Sequence, residues 1–417
     1  MLIFCNNPRR SKEGDRILRK GFLGGVAMAA PFYAEFFSWR WAVLMIVPLL
    51  LLRAIYREKV EVPQLALAPL VILLLLHVLA LGYTDTTFAS QVIKDLIIAS
   101  FVFVIYILAG DDMLRGFFAA LIPLALITAL LGLIKAALLD RGYLIGYILD
   151  NCSDYPAGSA LCLNYNNLGF IWLVAALGCL KSRLWWFLPI LLAAGALSSS
   201  RRFIVLMVFI PFVWILIQGE AAVAKSLLIA VLSLLLVCCI SDSASFERYY
   251  HDRQPFQVLS FKSDTQDQGR ELVFENINRS APTIIAGTMV DGTLGTASRL
   301  SYWGLGASML SWFPQGWSYH EVFSCSFSTC SEFHYPHMSI MTEWIIGGVF
   351  FGLVAIAFYV WPFVLIWRAK RVLPIALFVV TLPYSLISGD TVFSLPICIA
   401  CMLVALSSAR RRGWKVS

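Results

Sequence analysis

The strongest constraint in this chain is the length of its apolar runs. Stretches of roughly 18 residues or more recur from one end to the other, each long enough to cross a ~30 Å hydrocarbon core as a helix. In lipid a segment must satisfy its own backbone hydrogen bonds, and a helix does so. With 59% hydrophobic and 14% charged residues, this is not the composition of a soluble globule. The sequence therefore predicts an all-α polytopic membrane protein with about twelve transmembrane helices. The spans fall near 18–34, 36–54, 64–82, 92–110, 113–138, 163–180, 184–199, 201–218, 221–240, 340–367, 372–388 and 391–409. One long polar segment, 241–336, separates the spans of 18–240 from those of 340–409. It reads as a loop subdomain containing short helices, within a single membrane domain over 1–417.

Charge gives the orientation. The net charge of +7 could suggest nucleic acid, but the cations sit in short clusters between spans, which is the positive-inside pattern. Arg9, Arg10, Lys12, Arg16, Arg19 and Lys20 place the N-terminus in the cytoplasm. Arg53, Arg57 and Lys59, then Lys181 and Arg183, then Arg368, Lys370 and Arg371, and finally Arg410, Arg411, Arg412 and Lys415 follow on the same side. With twelve spans both termini are cytoplasmic. The basic start lacks the short apolar core and small-residue site of a cleavable signal. No nucleic-acid partner is expected; membrane lipids are.

The far side then carries the informative exceptions. Arg201 and Arg202, in Ser198-Ser-Ser-Arg-Arg202, oppose the positive-inside bias. Binding an anion at the membrane surface would account for them, as would snorkelling to lipid phosphate. Cys152 and Cys162 lie close together in one large far-side loop, and Cys325 and Cys330 in the long segment 241–336. Outside the cytoplasm each close pair is a candidate disulfide, and cross-loop pairing is equally open. Asn167, with Asn164 and Asn166, marks the start of the span near 163–180, as a helix cap or a hydrogen-bonding amide for sugar or phosphate. Within 241–336, Asp267 or Gly269 can open a helix whose apolar stripe is Leu272, Val273, Phe274 and Ile277, with Arg270 in its first turn. The stretch 287–317 is rich in Gly, Ser and Trp and includes Arg299; it suits aromatic surfaces for sugar stacking or for lipid headgroups. His337 follows where the polar segment meets the next span, and His334 lies just before it. An imidazole there can move a proton near neutral pH, or simply mark the helix start. Asp390, in Ser388-Gly-Asp390-Thr391, reads as a cap of the last span or as an arginine partner.

The exclusions narrow the chemistry further. There is no phosphate-binding loop of the nucleotide-hydrolysing type, no zinc motif and no Asp-x-Asp pair for a metal-bound sugar nucleotide. No metal and no cofactor are expected. Few acidic residues lie inside spans, and His77, Lys94 and Lys135 are the ionisable exceptions to watch. That scarcity counts against a proton-coupled transporter.

The far-side Ser-Arg, the loop Gly-Arg, the His at the loop's end and the Ser-x-Asp near the last span, in this order, resemble the bacterial O-antigen ligases. More broadly they resemble the superfamily of O-antigen ligases, polymerases and protein O-oligosaccharyltransferases. Leu197-Ser-Ser-Ser-Arg201 resembles the family's Thr/Ser-x-Thr/Ser-Arg segment, with Arg202 as the second choice of arginine. Gly269-Arg270 resembles its loop helix start. His337 with Gly348 eleven residues on, and Gly352 beyond, resembles its histidine motif, although Met338 and Phe351 depart from the pattern. Ser388-Gly-Asp390 resembles the turn before the final span.

The resemblance implies a metal-independent, inverting glycosyltransferase of the bacterial inner membrane, multi-pass, with a periplasmic active site. The donor would be an undecaprenyl-diphosphate-linked O-polysaccharide and the acceptor a sugar hydroxyl of lipid A–core. Arg201 and Arg270, with Arg202 in reserve, would hold the diphosphate, and His337 would be the general base. Asp390, Asn167 and His334 would support the site. An O-antigen polymerase, extending undecaprenyl-diphosphate-linked repeat units, is the alternative.

Overall fold

The computed structural model describes residues 21–37, 64–81, 89–109, 113–137, 165–198, 201–219, 221–241, 296–327 and 335–410. Within them the protein is all-helical, and no strand occurs among the described residues. In chain order the helices are α1 (Ala30–Phe37), α2 (Gln64–Leu81), α3 (Ala89–Ala109), α4 (Leu114–Ala137), α5 (Tyr165–Lys181), α6 (Leu188–Leu197), α7 (Arg201–Met207) and α8 (Phe209–Gln218). They continue as α9 (Ala221–Ser241), α10 (Thr296–Ser308), α11 (Tyr319–Phe327), α12 (Ser339–Arg368), α13 (Val372–Ser388) and α14 (Pro396–Arg410). Stretches within α4, α9 and α12 are long and apolar enough to cross a membrane by themselves, and eight shorter apolar helices accompany them. This is a membrane protein. The expected span at 36–54 lies outside the described residues but for the end of α1.

Burial sorts the helices into layers. From Leu168 to Leu180 every residue of α5 is buried, as expected of a helix that is hydrophobic all round and sits at the bundle centre. Helices α4, α6, α7 and α13 pack against it. By contrast α9 exposes Leu227, Val231, Leu234 and Leu235, so its hydrophobic surface faces lipid rather than protein. Some polar side chains inside the bundle pair across helices. Trp172 donates its indole N–H to Thr128 Oγ1 at 3.0 Å. The hydroxyl of Tyr359 bridges Ser339 and Ser385, each at 2.8 Å.

One boundary differs from the sequence reading. The last span begins at Pro396 rather than near 391, because the chain from Gly389 to Leu395 forms bends and turns before the helix starts. Asp390 lies six residues ahead of α14 and does not cap it. The span expected over 201–218 is present as α7 and α8, which run on through Val208 with helical backbone angles.

Helix α12 is interrupted at one residue. Its backbone leaves the helical region at Gly348, with φ 70° and ψ −167°, a conformation essentially confined to glycine. The break removes the helical donor that Ile345 O would otherwise have, and the N–H of Gln315 takes its place at 3.2 Å. A Cβ at Gly348 would sit 2.5 Å from the Trp312 carbonyl oxygen. Gly348→Ala is therefore expected to cost about 1–3 kcal/mol from the backbone conformation, with the clash added. Thermal unfolding in detergent checks this, and an unchanged midpoint would show the kink to be dispensable.

Candidate functional site

The site gathers at the end of the bundle where α2 finishes, α12 starts and α13 turns into α14. His337 stands immediately before α12. Met338, extended at φ −142°, is the helix N-cap, and His337 precedes it in the left-handed region at φ 55°. Non-glycine residues there are uncommon, though histidine is among the better tolerated. Such a conformation persists only where the surroundings hold it. Here the neighbouring Pro336 is buried, and the imidazole lies 4.1 Å from the Tyr335 ring centroid and 5.4 Å, edge-on, from that of Tyr302. The His337 side chain remains half-buried.

Behind it lie two tiers of buried ionisable groups. In the first, Asp390 is 5% exposed. It accepts a hydrogen bond from Tyr319 Oη at 2.6 Å and has His320 Nε2 at 3.2 Å. Burial above all, and then the Asp390 carboxylate, holds the Tyr319 phenol well above its ordinary range, so it stays a neutral donor. In the second tier, His77 and Glu343 are both fully buried, with His77 Nε2 2.9 Å from Glu343 Oε2. The other carboxylate oxygen accepts the Val392 N–H at 3.0 Å. The 2.9 Å approach lacks the alignment of a good hydrogen bond.

Proton counting constrains this pair. His77 Nδ1 lies 2.7 Å from Leu73 O, a carbonyl that can only accept, so Nδ1 carries a hydrogen. Two bare lone pairs at 2.9 Å would repel, so the pair carries a second proton, on Nε2 or on Oε2. The pair is imidazolium with carboxylate, or neutral imidazole with carboxylic acid. Either way it ties α2 to α12, and through Val392 to the turn that carries Asp390. The Trp317 ring lies between the tiers, with centroids 5.5 Å from His77 and 6.0 Å from His320. Beside Asp390, a cavity with room for about one water molecule is lined by Asp95, Trp317 and Thr391 among others.

Arg202 reaches the same turn from α7. Its Nη2 donates to Ile387 O at 3.4 Å, and its guanidinium lies over the Tyr384 ring at 5.5 Å. Thus the structure brings the Arg202 segment beside the end of α13, close in sequence to Asp390. Asp390 itself is held by Tyr319 and His320, where the sequence reading had a cap or an arginine partner. A buried aspartate takes the nearest partners that the fold supplies, and here these are the first two residues of α11.

Arg201 begins α7, but its side chain is not among those described. Asn167 lies half-buried in the first turn of α5. Arg270, His334, Cys152, Cys162 and Cys330 lie outside the described residues. Cys325 falls in α11, again without a described side chain, so neither candidate disulfide is tested. Among the described residues no cluster of three or more metal-ligating side chains occurs.

Sequence reasoning passed over Glu343, Tyr319 and His320 as site residues, and noted His77 only as an ionisable residue in a span. The available signal was that pairing. A histidine near one end of an apolar span needs a partner, and a glutamate near the start of another can supply it. Neither protein-family models nor curated proteins give a match to this chain.

Proposed function

We propose that this protein transfers a polysaccharide from an undecaprenyl diphosphate carrier to a sugar hydroxyl of lipid A–core, as an O-antigen ligase at the periplasmic face of the bacterial inner membrane. One observation carries the reading. A half-buried imidazole in a left-handed turn stands at the head of a membrane-length helix, at φ 55° between two tyrosine rings. That is where a base would need to be to act on a lipid-borne hydroxyl.

In this mechanism His337 accepts the proton of the acceptor hydroxyl as its oxygen attacks the anomeric carbon. The carbon–oxygen bond to the diphosphate breaks, the configuration inverts, and undecaprenyl diphosphate leaves with the bonding electrons. Arg201 and Arg270 hold the departing diphosphate, for which guanidinium geometry is suited. Arg202 is already engaged with Ile387 O and the Tyr384 ring, which favours Arg201 for that task. The chain spans the bilayer about twelve times with both termini in the cytoplasm, and the segment 241–336 closes over the two substrates.

The test is the lipopolysaccharide banding pattern of a strain lacking the gene, with the carrier-linked polymer probed in parallel. Expected are core-only lipopolysaccharide and long polymer still on its lipid carrier. Core capped by one repeat unit, with long polymer absent everywhere, would instead assign a polymerase. An unchanged pattern would exclude both.

A further inference from the structure

Trp312 and Phe313 are each 78% exposed, the most exposed large hydrophobic residues among those described. They form the tip of a strap between α10 and the 3₁₀ turn Gly316–Ser318. The tip is fastened to α12. Trp344 donates its indole N–H to Ser311 O at 2.9 Å, and Gln315 N–H closes the Ile345 carbonyl that the Gly348 kink leaves open. The Gln315 side chain also returns to Met309 O at 2.6 Å. Two bulky apolar side chains are thus held outward on a strap whose own backbone is pinned.

Helix geometry gives their depth. Beyond the kink, α12 continues from Val349 to Arg368, which at 1.5 Å per residue is about 30 Å, the thickness of a hydrocarbon core. Phe350, Leu353, Ile356 and Val360 are exposed along that stretch, and Arg368, Lys370 and Arg371 close its far end. Glu343 and the polar tiers lie on the other side of the kink. The kink therefore marks one edge of the hydrocarbon, and the Trp312 carbonyl packs against it. At this boundary an amphipathic indole gains most, with its ring among acyl chains and its N–H near the headgroups.

We infer that the Trp312–Phe313 tip is a membrane-inserted hook, seated among phospholipid acyl chains at the headgroup boundary beside α12. The exposed apolar pair continues the lipid-facing surface of α12, and that continuity singles out the bilayer over a polysaccharide or a second protein. The strap runs on to Trp317, Tyr319 and His320, so the hook also fastens the buried tiers to the membrane surface. This inference is independent of the reaction proposed above.

Photo-crosslinking tests it. The full-length protein, with p-benzoyl-phenylalanine at position 313, is reconstituted into phosphatidylethanolamine–phosphatidylglycerol vesicles, irradiated and weighed intact. Position 312 serves as a second site, the lipid-facing Leu353 as positive control and the exposed Glu321 as negative control. Phospholipid-mass adducts are expected at 313 and 312 as at 353, and none at 321. Lipid adducts at 353 but at neither 313 nor 312 would overturn the hook. So would capture of polysaccharide or of another protein chain, in native membranes, in place of lipid.

Discussion

Replacing His337 with alanine is expected to lower the rate of polysaccharide transfer by about 10²–10⁴, the usual loss when a general base is removed. Alanine at φ 55° also carries a left-handed backbone penalty of about 1–2 kcal/mol. A second variant separates chemistry from strain. His337→Asn tolerates the left-handed region but cannot take up a proton at neutral pH. It should keep the thermal midpoint of the parent while losing the same activity as the alanine variant. The measurement is transfer from a purified undecaprenyl-diphosphate donor to lipid A–core by protein in detergent, with unfolding followed on the same samples. An active His337→Asn variant would remove His337 from the role of base. Comparing it with His334→Ala would then show whether the neighbouring histidine performs that step.

Glu343→Ala is expected to be the most destabilising single change in the bundle. It strips the fully buried His77 of its counter-group and leaves the Val392 N–H without its acceptor. Removing one partner of a buried pair commonly costs about 3–5 kcal/mol, because the other is stranded in a low-dielectric interior. The loss should show as a lower thermal midpoint in detergent and, because Val392 and Asp390 share one turn, as lost activity. The double change His77→Phe with Glu343→Leu, which removes both polar groups and restores volume, should recover much of the stability. The unpaired Val392 N–H would keep it below the parent. If Glu343→Ala left the midpoint unchanged, the pair would not be the tie between α2 and α12 that the geometry indicates.

The two variants probe parts of the site that differ in legibility. The place of His337 at the head of α12 was legible in the sequence because it depends on a local transition, from a polar segment to a long apolar run, and that transition is written in neighbouring residues. Gly348 could be placed in a motif with it, but not as the kink, since nothing nearby in the sequence says that the Trp312 carbonyl will press against it. Asp390 was located in a turn, but the partners that hold it were not foreseen. A turn can be recognised from Ser388-Gly389-Asp390, whereas its partners, Tyr319 and His320, come from a segment far away along the chain. His77 stood out as an ionisable group in an apolar span, yet the choice of Glu343 as its partner depended on how α2 and α12 pack. Helical periodicity can name a face of a helix, but not which other helix that face will meet.

The chain's need for lipid was determined by the sequence alone, because the free-energy cost of placing a residue in hydrocarbon is felt one segment at a time. Apolar runs, their lengths and the basic residues at their ends were enough for the helical class. Only the tertiary structure decided which buried charges meet, where α12 breaks, and which loop carbonyl fills the space above the break. Those outcomes depend on contacts between segments distant in the chain. There the requirement that every buried polar group find a partner has many solutions in sequence, and packing selects one.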